Sequence, residues 1–211
     1  MSDGQANPRT RDPDRSREAI LDAAESLFAD RGYEGTSLQE IGRLAGVSRG
    51  TPGYFFGSKE GLYGAVLARA FAAELDLVAG ARARATESGG PEAELAAAIG
   101  SFVDFLAARP TFVRLVEREA LAGGARFRAA PAHAATMAAG LATTADILAR
   151  GPFRPVDPAQ LLLDVLALCW FPIAHATTFA RGLGLDPEGA DFVETRKRHV
   201  VELVLRGVRN G

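Results

Sequence analysis

The stretch Gly46-Val47-Ser48-Arg49-Gly50-Thr51-Pro52-Gly53-Tyr54-Phe55-Phe56-Gly57-Ser58-Lys59 decides the fold. Just before it, Thr36-Ser37-Leu38-Gln39-Glu40 has the spacing of a capping box, with Ser37 facing Glu40 three positions on. A helix is therefore predicted from Leu38, burying Leu38, Ile41 and Leu44. Gly46 reaches a positive φ without steric cost and ends it. Val47 is placed to fill the gap behind the turn. A short helix over about 49–57 follows, almost free of acidic side chains. Two readings of its start stay open. Either Ser48 caps it and Pro52 closes the first turn, or Thr51 caps it and Pro52 is the first helical residue. Gly53 and Gly57 each weaken this helix by about 1 kcal/mol relative to Ala. Packing must hold it, with Phe56 expected inside and Phe55 partly outside. Ser58 then caps a further helix. Helix, tight glycine turn and short second helix make a helix-turn-helix, whose second helix enters the DNA major groove.

Upstream, Asp12 and Pro13 suit a cap and a first helical position, and Ile20, Leu21, Ala24, Leu27 and Phe28 share one helical face up to Gly32. Residues 1–13 read as a flexible arm, with Arg9, Arg11, Arg15 and Arg17 clustered at and just past its end. Such an arm suits phosphates or the minor groove. Downstream, a long helix from Ser58 carries Leu62, Val66, Leu67, Ala70 and Phe71 and ends near Ala85, and Glu87 to Pro91 is a turn-rich break. Further helices are predicted over 92–108, 111–122, 131–150, 157–181 and 188–209, with Pro172 kinking the fourth of them. No segment alternates as a strand does. The fold class is all-α, with about nine helices.

The 211 residues, 47% hydrophobic and 24% charged, leave room for one or two domains. The formal net charge of −2 gives no basic total. Residues 1–60 hold 8 Lys/Arg against 10 Asp/Glu, so any affinity for DNA must come from where the charges sit. The single cysteine, Cys169, forbids an internal disulfide and fits a reducing cytoplasm. The apolar run 159–180 is broken by Asp164, Pro172 and His175, which favours a buried or dimer-facing helix over a membrane span. No metal-ligand spacing, nucleophile elbow or phosphate loop occurs, and no catalytic residue, metal or cofactor is expected. Cys169 and His175 lie six apart on a helix, roughly 600° of rotation, and cannot form a dyad there.

Together these fragments resemble the TetR family of bacterial transcriptional regulators. The resemblance runs through Ala19-Ile20-Leu21-Asp22-Ala23-Ala24, Leu27-Phe28, Gly32-Tyr33, Thr36-Ser37 and Ile41-Gly42-Arg43-Leu44-Ala45-Gly46-Val47-Ser48-Arg49-Gly50-Thr51. It closes with Tyr54-Phe55-Phe56-Gly57-Ser58-Lys59-Glu60-Gly61-Leu62, covering about a third of the chain. One departure stands out. The family usually carries a Leu-Tyr pair after the helix-3 threonine, and here those places hold Pro52 and Gly53. The tyrosine's role at the DNA backbone is vacant or passes to Tyr54.

The resemblance implies a helix-turn-helix domain over 14–75, its motif about 37–57, and an effector-binding and dimerisation domain over 76–211. It implies a cytoplasmic regulator, most simply a repressor, that binds a palindromic operator as a dimer and is released by a small apolar or amphipathic effector. A helical small-molecule-binding dimer without DNA binding is the alternative that Pro52-Gly53 raises. Expected DNA contacts are Ser37 and Ser48 at helix N-termini, where free N–H groups favour phosphate. Lys59 resembles the family's phosphate-contacting lysine. Arg49 and Thr51 are expected at base edges, Gly50 at a close backbone approach, and Tyr54 and Phe55 against sugars or methyls. Dimerisation is expected through the helices over about 157–181 and 188–209. For the effector pocket, the apolar candidates are Phe102, Phe105, Phe112, Val116, Met137, Leu141, Trp170 and Phe171. The polar candidates are His133, His175, Arg114, Glu117 and Thr136.

Overall fold

A computed structural model describes residues 12–210, and the expected arm lies outside them up to Arg11. The chain divides into two compact units, meeting in sequence between Val66 and Leu67. The division falls inside a helix, earlier than the boundary at residue 75 read from sequence. The described residues are helical, and their only extended pairing is an isolated antiparallel bridge between Phe153 and Arg209.

The first unit holds α1 (Pro13–Arg31), α2 (Leu38–Leu44), α3 (Thr51–Phe56) and the start of α4 (Lys59–Ala108). Asp12 caps α1 by accepting from the Asp14 amide. The α1 face carrying Ile20, Leu21, Ala24 and Phe28 is fully buried, and each large side chain contributes about 1.5–3 kcal/mol. Leu62 and Val66 from α4 and Ile41 from α2 complete that core. Phe28, Tyr33 and Tyr63 pack ring against ring at 5.0–5.9 Å. Thr36 is buried, and its hydroxyl donates to the Gly32 carbonyl at 2.9 Å.

The α2–α3 junction differs from expectation in instructive ways. The predicted helix over 49–57 is shorter, and neither reading of its cap holds. Gly50 occupies the cap position without a side-chain bond, and the turn before α3 is closed by the Thr51 amide on the Ser48 carbonyl at 3.1 Å. Pro52, inside the first turn where a missing N–H costs least, is the buried residue of α3. It rests on Gly42 of α2: a Cβ added at Gly42 would lie 3.2 Å from the Ser48 carbonyl oxygen and 3.3 Å from Pro52 Cγ. Phe56 is half-buried rather than inside, with the Arg17 guanidinium 5.3 Å from its ring centre. Proline therefore anchors α3, and the aromatic shields its edge.

The second unit continues α4, which holds helical geometry up to Gly90 and resumes at Pro91. At Gly90 φ is +68° and ψ −164°, a conformation open to glycine. The turn-rich break expected over 87–91 is thus a single residue. Then follow α5 (Pro110–Leu121), α6 (Ala125–Ala129), α7 (Pro131–Arg150), α8 (Pro158–Ala174), a π-helical turn (Ala176–Ala180) and α9 (Phe192–Val208). The short α6 was not expected. Pro172 does not end α8. Its missing N–H would orphan the Leu168 carbonyl, four residues back, and Arg196 of α9 donates to that carbonyl at 3.2 Å. The interior of this unit is formed by Leu95, Ile99, Val103, Leu106, Phe112, Leu115, Ile147, Val200 and Val204.

Candidate functional site

Two places in the chain could do chemistry of recognition. The first is the surface of α2, its turn and α3. Capped at Gly46 with φ +67°, the turn is locked by the Val47 amide on the Gly42 carbonyl at 2.9 Å. This presents Arg43, Ser48, Arg49, Gly50 and Tyr54 to solvent, Tyr54 at 85% exposure. Arg49 has no carboxylate partner among the described residues, so its guanidinium is available for a bidentate acceptor. Thr51 is half-buried, and its hydroxyl is hydrogen-bonded to Ser48 Oγ at 2.6 Å. Tyr54 and Phe55 meet edge to face at 5.4 Å, which stiffens the exposed ring.

Two expected phosphate contacts are already engaged within the unit. Ser37 donates its hydroxyl to Glu40 Oε2 at 2.8 Å and accepts from the Glu40 amide at 3.3 Å. The Glu40 carboxylate also takes the Ser37 amide and the Arg31 guanidinium, at 3.1 and 2.9 Å. An anion of the chain itself thus sits at the N-terminus of α2, and these bonds hold its pKa below the ordinary carboxylate value. Lys59 points inward. Its ammonium donates to the carbonyls of Tyr33 and Thr36 at 3.0 and 3.2 Å and lies 4.2 Å from the Tyr33 ring centre. Carbonyls freed at the α1–α2 corner need donors, and Lys59 supplies one to each, beside the Thr36 amide on the Tyr33 carbonyl.

The second place is a cavity of about 340 Å³ inside the C-terminal unit, walled by both halves of α4 around Gly90, by α7 and by α8. Of the aromatic and apolar candidates read from sequence, Phe102 and Met137 line it, and Thr136 lines it among the polar ones. Phe105, Phe112, Trp170 and His133 instead join an aromatic cluster with Phe71 and Phe127, ring centres 5.4–6.3 Å apart. Val116 is half-buried, Leu141 and Phe171 are exposed, and Arg114 faces solvent on α5. Glu117 accepts from the Trp170 indole N–H and lies 3.7 Å from His175 Nε2. His175 therefore bridges to a neighbouring helix.

The sequence reading missed the polar edge of this cavity. Glu94, 2% exposed, receives both Arg150 Nη atoms at 2.9 and 2.8 Å and Arg82 at 3.3 Å. The Arg150 bonds, with Thr86 and Arg82 behind them, hold its pKa at about 2. Asp146 completes the cluster on Arg150. Arg82 brings this cluster to the cavity wall, and the acid that lines the cavity itself is Glu74, whose carboxyl burial pushes up to about 7. The signal was present: Glu74 and Glu94 are lone acids among apolar neighbours of a helical face. Cys169 is buried, with its thiol pushed up to about 12, so it is not poised as a nucleophile.

The geometry agrees with what comparison brings. The family model described as "Bacterial regulatory proteins, tetR family" matches residues 20–66, and "Tetracyclin repressor-like, C-terminal domain" matches residues 91–204. The chain is 26% identical over 214 residues to the HTH-type transcriptional repressor NicS of Pseudomonas putida, covering 99% of this chain and 100% of that protein. It is 28% identical over 213 residues to the HTH-type transcriptional regulator RutR of Escherichia coli, covering 95% of this chain and 94% of that one. A tetR-family regulatory protein from Rhodococcus RHA1 shares the fold with a TM-score of 0.71 at 21% identity, over 93% of this chain and 98% of that one. Matched along both of its units, the chain belongs to the TetR family of bacterial transcriptional regulators.

Proposed function

We propose that the protein represses transcription from a palindromic operator, binding it as a homodimer in the cytoplasm and leaving it when a small apolar or amphipathic molecule occupies the C-terminal cavity. The observation that carries the reading is the exposed and unpaired Arg49 at the mouth of α3, beside Tyr54, on a turn locked by Gly46. Arginine there can bond guanine O6 and N7 together, and Tyr54 can pack on sugar or methyl. Thr51, half-buried, keeps its methyl for a thymine while its hydroxyl serves Ser48. The dimer would form through α8, the π-helical turn and α9, which leave Leu163, Phe171, Phe179 and Leu203 exposed. Effector and operator would be linked by a coupling free energy of typically 1–3 kcal/mol. No step of this function calls for catalysis.

The test is a fluorescence-anisotropy titration of the full-length protein on duplex DNA from upstream of its own gene, at fixed salt. Arg49→Ala is expected to weaken binding by about 1–3 kcal/mol. Unchanged affinity would remove Arg49 from the interface. Absence of salt-dependent binding between about 50 and 200 mM would favour a ligand-binding dimer without DNA.

A further inference from the structure

The cavity has an unbalanced polarity. Its walls are apolar over α4, α7 and α8, with Leu95, Ile99 and Leu166 among them. Two charged groups reach it, Glu74 and Arg82. They are eight residues apart on one helix, roughly 12 Å along its axis, and no ion pair joins them, Arg82 turning instead to Glu94 and Asp146. The Arg82 Nη atoms already have partners, Glu94 at 3.3 Å, Asp146 at 3.7 Å and the Thr143 hydroxyl at 3.2 Å, which leaves only its buried Nε without one. With Arg150, this cluster holds two cations and two anions. Glu74 has no hydrogen-bond or ion-pair partner among the described residues, and burial alone moves its pKa. The hydroxyls divide the same way. Thr143 is taken by Arg82, and Thr144 donates to the Gly140 carbonyl at 2.9 Å. Thr136, 3% exposed, leaves its buried Oγ1 without a partner. Two acceptors, one of them acidic, are thus left over in an apolar chamber.

We propose that this cavity binds a compact apolar amine, whose protonated nitrogen pairs with the Glu74 carboxylate and donates to Thr136 Oγ1. The assignment rests on the reading of the cavity as the effector site and names the chemistry of its occupant. An ammonium supplies donors to both leftover groups and cancels the one uncompensated charge. An anion would meet Glu74 as a like charge, while the one cation in the wall among the described residues, Arg82, is already paired with Glu94 and Asp146. The volume, about 340 Å³, lies at the lower end of the roughly 300–1,000 Å³ typical of ligand pockets, which selects a small hydrocarbon skeleton.

The test uses three skeletons, benzyl, cyclohexylmethyl and 1-adamantyl, each as the amine, the alcohol and the carboxylate. Binding to the full-length protein is followed by titration calorimetry and thermal shift near pH 8, about where both amine and Glu74 are charged. At least one amine is expected to bind about tenfold or more tightly than its matched carboxylate. Glu74→Gln, which keeps shape, should remove that preference while leaving the alcohol's affinity within about twofold. Thr136→Val should weaken the amine several-fold without restoring the carboxylate. Carboxylates binding as tightly as amines, a preference unchanged in Glu74→Gln, or no binding by any of the nine compounds would each overturn the proposal. Operator affinity is measured in parallel. Amine binding that leaves operator affinity unchanged keeps the amine assignment and overturns the effector reading. Operator release by alcohols or carboxylates, with no amine preference, keeps the effector reading and overturns the assignment.

Discussion

The helix-turn-helix unit and the cavity unit differ in how far along the chain their polar groups reach for partners. In the first, most partners are near in sequence, as Asp12 with Asp14, Ser37 with Glu40, Ser48 with Thr51 and Thr36 with Gly32, and Lys59 reaching back to Tyr33 and Thr36 is the exception. In the second, the pairs that tie its helices together are far apart: Glu94 with Arg150, Glu117 with Trp170, Asp104 with Lys197, Glu92 with Arg209. Local partners make a surface whose shape survives as a motif. Distant partners make a chamber whose contents depend on which helices meet. The first arrangement suits a part that must present one rigid shape to DNA. The second suits a part that tunes its chamber to one molecule.

The comparison can be broken at four places, in order of expected effect. Phe112 is 1% exposed at the centre of rings drawn from Phe71, Phe105 and Trp170. Phe112→Ala should cost about 3–5 kcal/mol in a urea melt, because nothing local can refill the space. A loss below about 1 kcal/mol would mean that the cluster tolerates a void and is ligand space after all. Glu94→Gln removes the buried charge between Arg150 and Arg82, leaves Asp146 as their one acid, and should cost about 3 kcal/mol at neutral pH. The sign with pH follows from its lowered pKa. The stability that ionised Glu94 contributes is complete above about 4.5 and is lost as pH falls toward about 2. A wild-type acid melt that Glu94→Gln leaves superimposable would rule the cluster out as its cause.

Glu74 has the opposite sign. Its folded-state pKa is raised from 4.5 to about 7, so ionisation subtracts stability as pH climbs through that window. Glu74→Gln should therefore stabilise the apoprotein by roughly 2 kcal/mol above pH 7 and by little below about pH 4.5. Equal melting temperatures for the two proteins at pH 8 would show that Glu74 has a partner or water. The smallest effect belongs to the local device: Ser37→Ala removes one cap and should cost about 1 kcal/mol. A loss as large as that of Glu94→Gln would erase the contrast between the units.

Residue order alone determined the all-α class, the capping box at Ser37 and Glu40, the glycine stops at Gly32 and Gly46, and the α1 face buried around Phe28. These depend on interactions within a few residues, which helical periodicity and capping chemistry encode directly. The family was legible for the same reason. Where an interaction spans the chain, the spacing carries no such code. Pro52 reads as a helix problem until Gly42 is seen to leave room for its ring. Pro172 frees a carbonyl of its own helix, and the donor that takes it, Arg196, comes from α9. Lys59 reads as a phosphate ligand, and only the fold shows that two of its three donors go to the carbonyls of Tyr33 and Thr36. The aromatics read as a pocket, and most of them proved to be mutual core. Which acid stays unpaired beside the cavity was decided by the packing of α4 against α7. A pairing between helices is a property of their docking, and no stretch of either one states it.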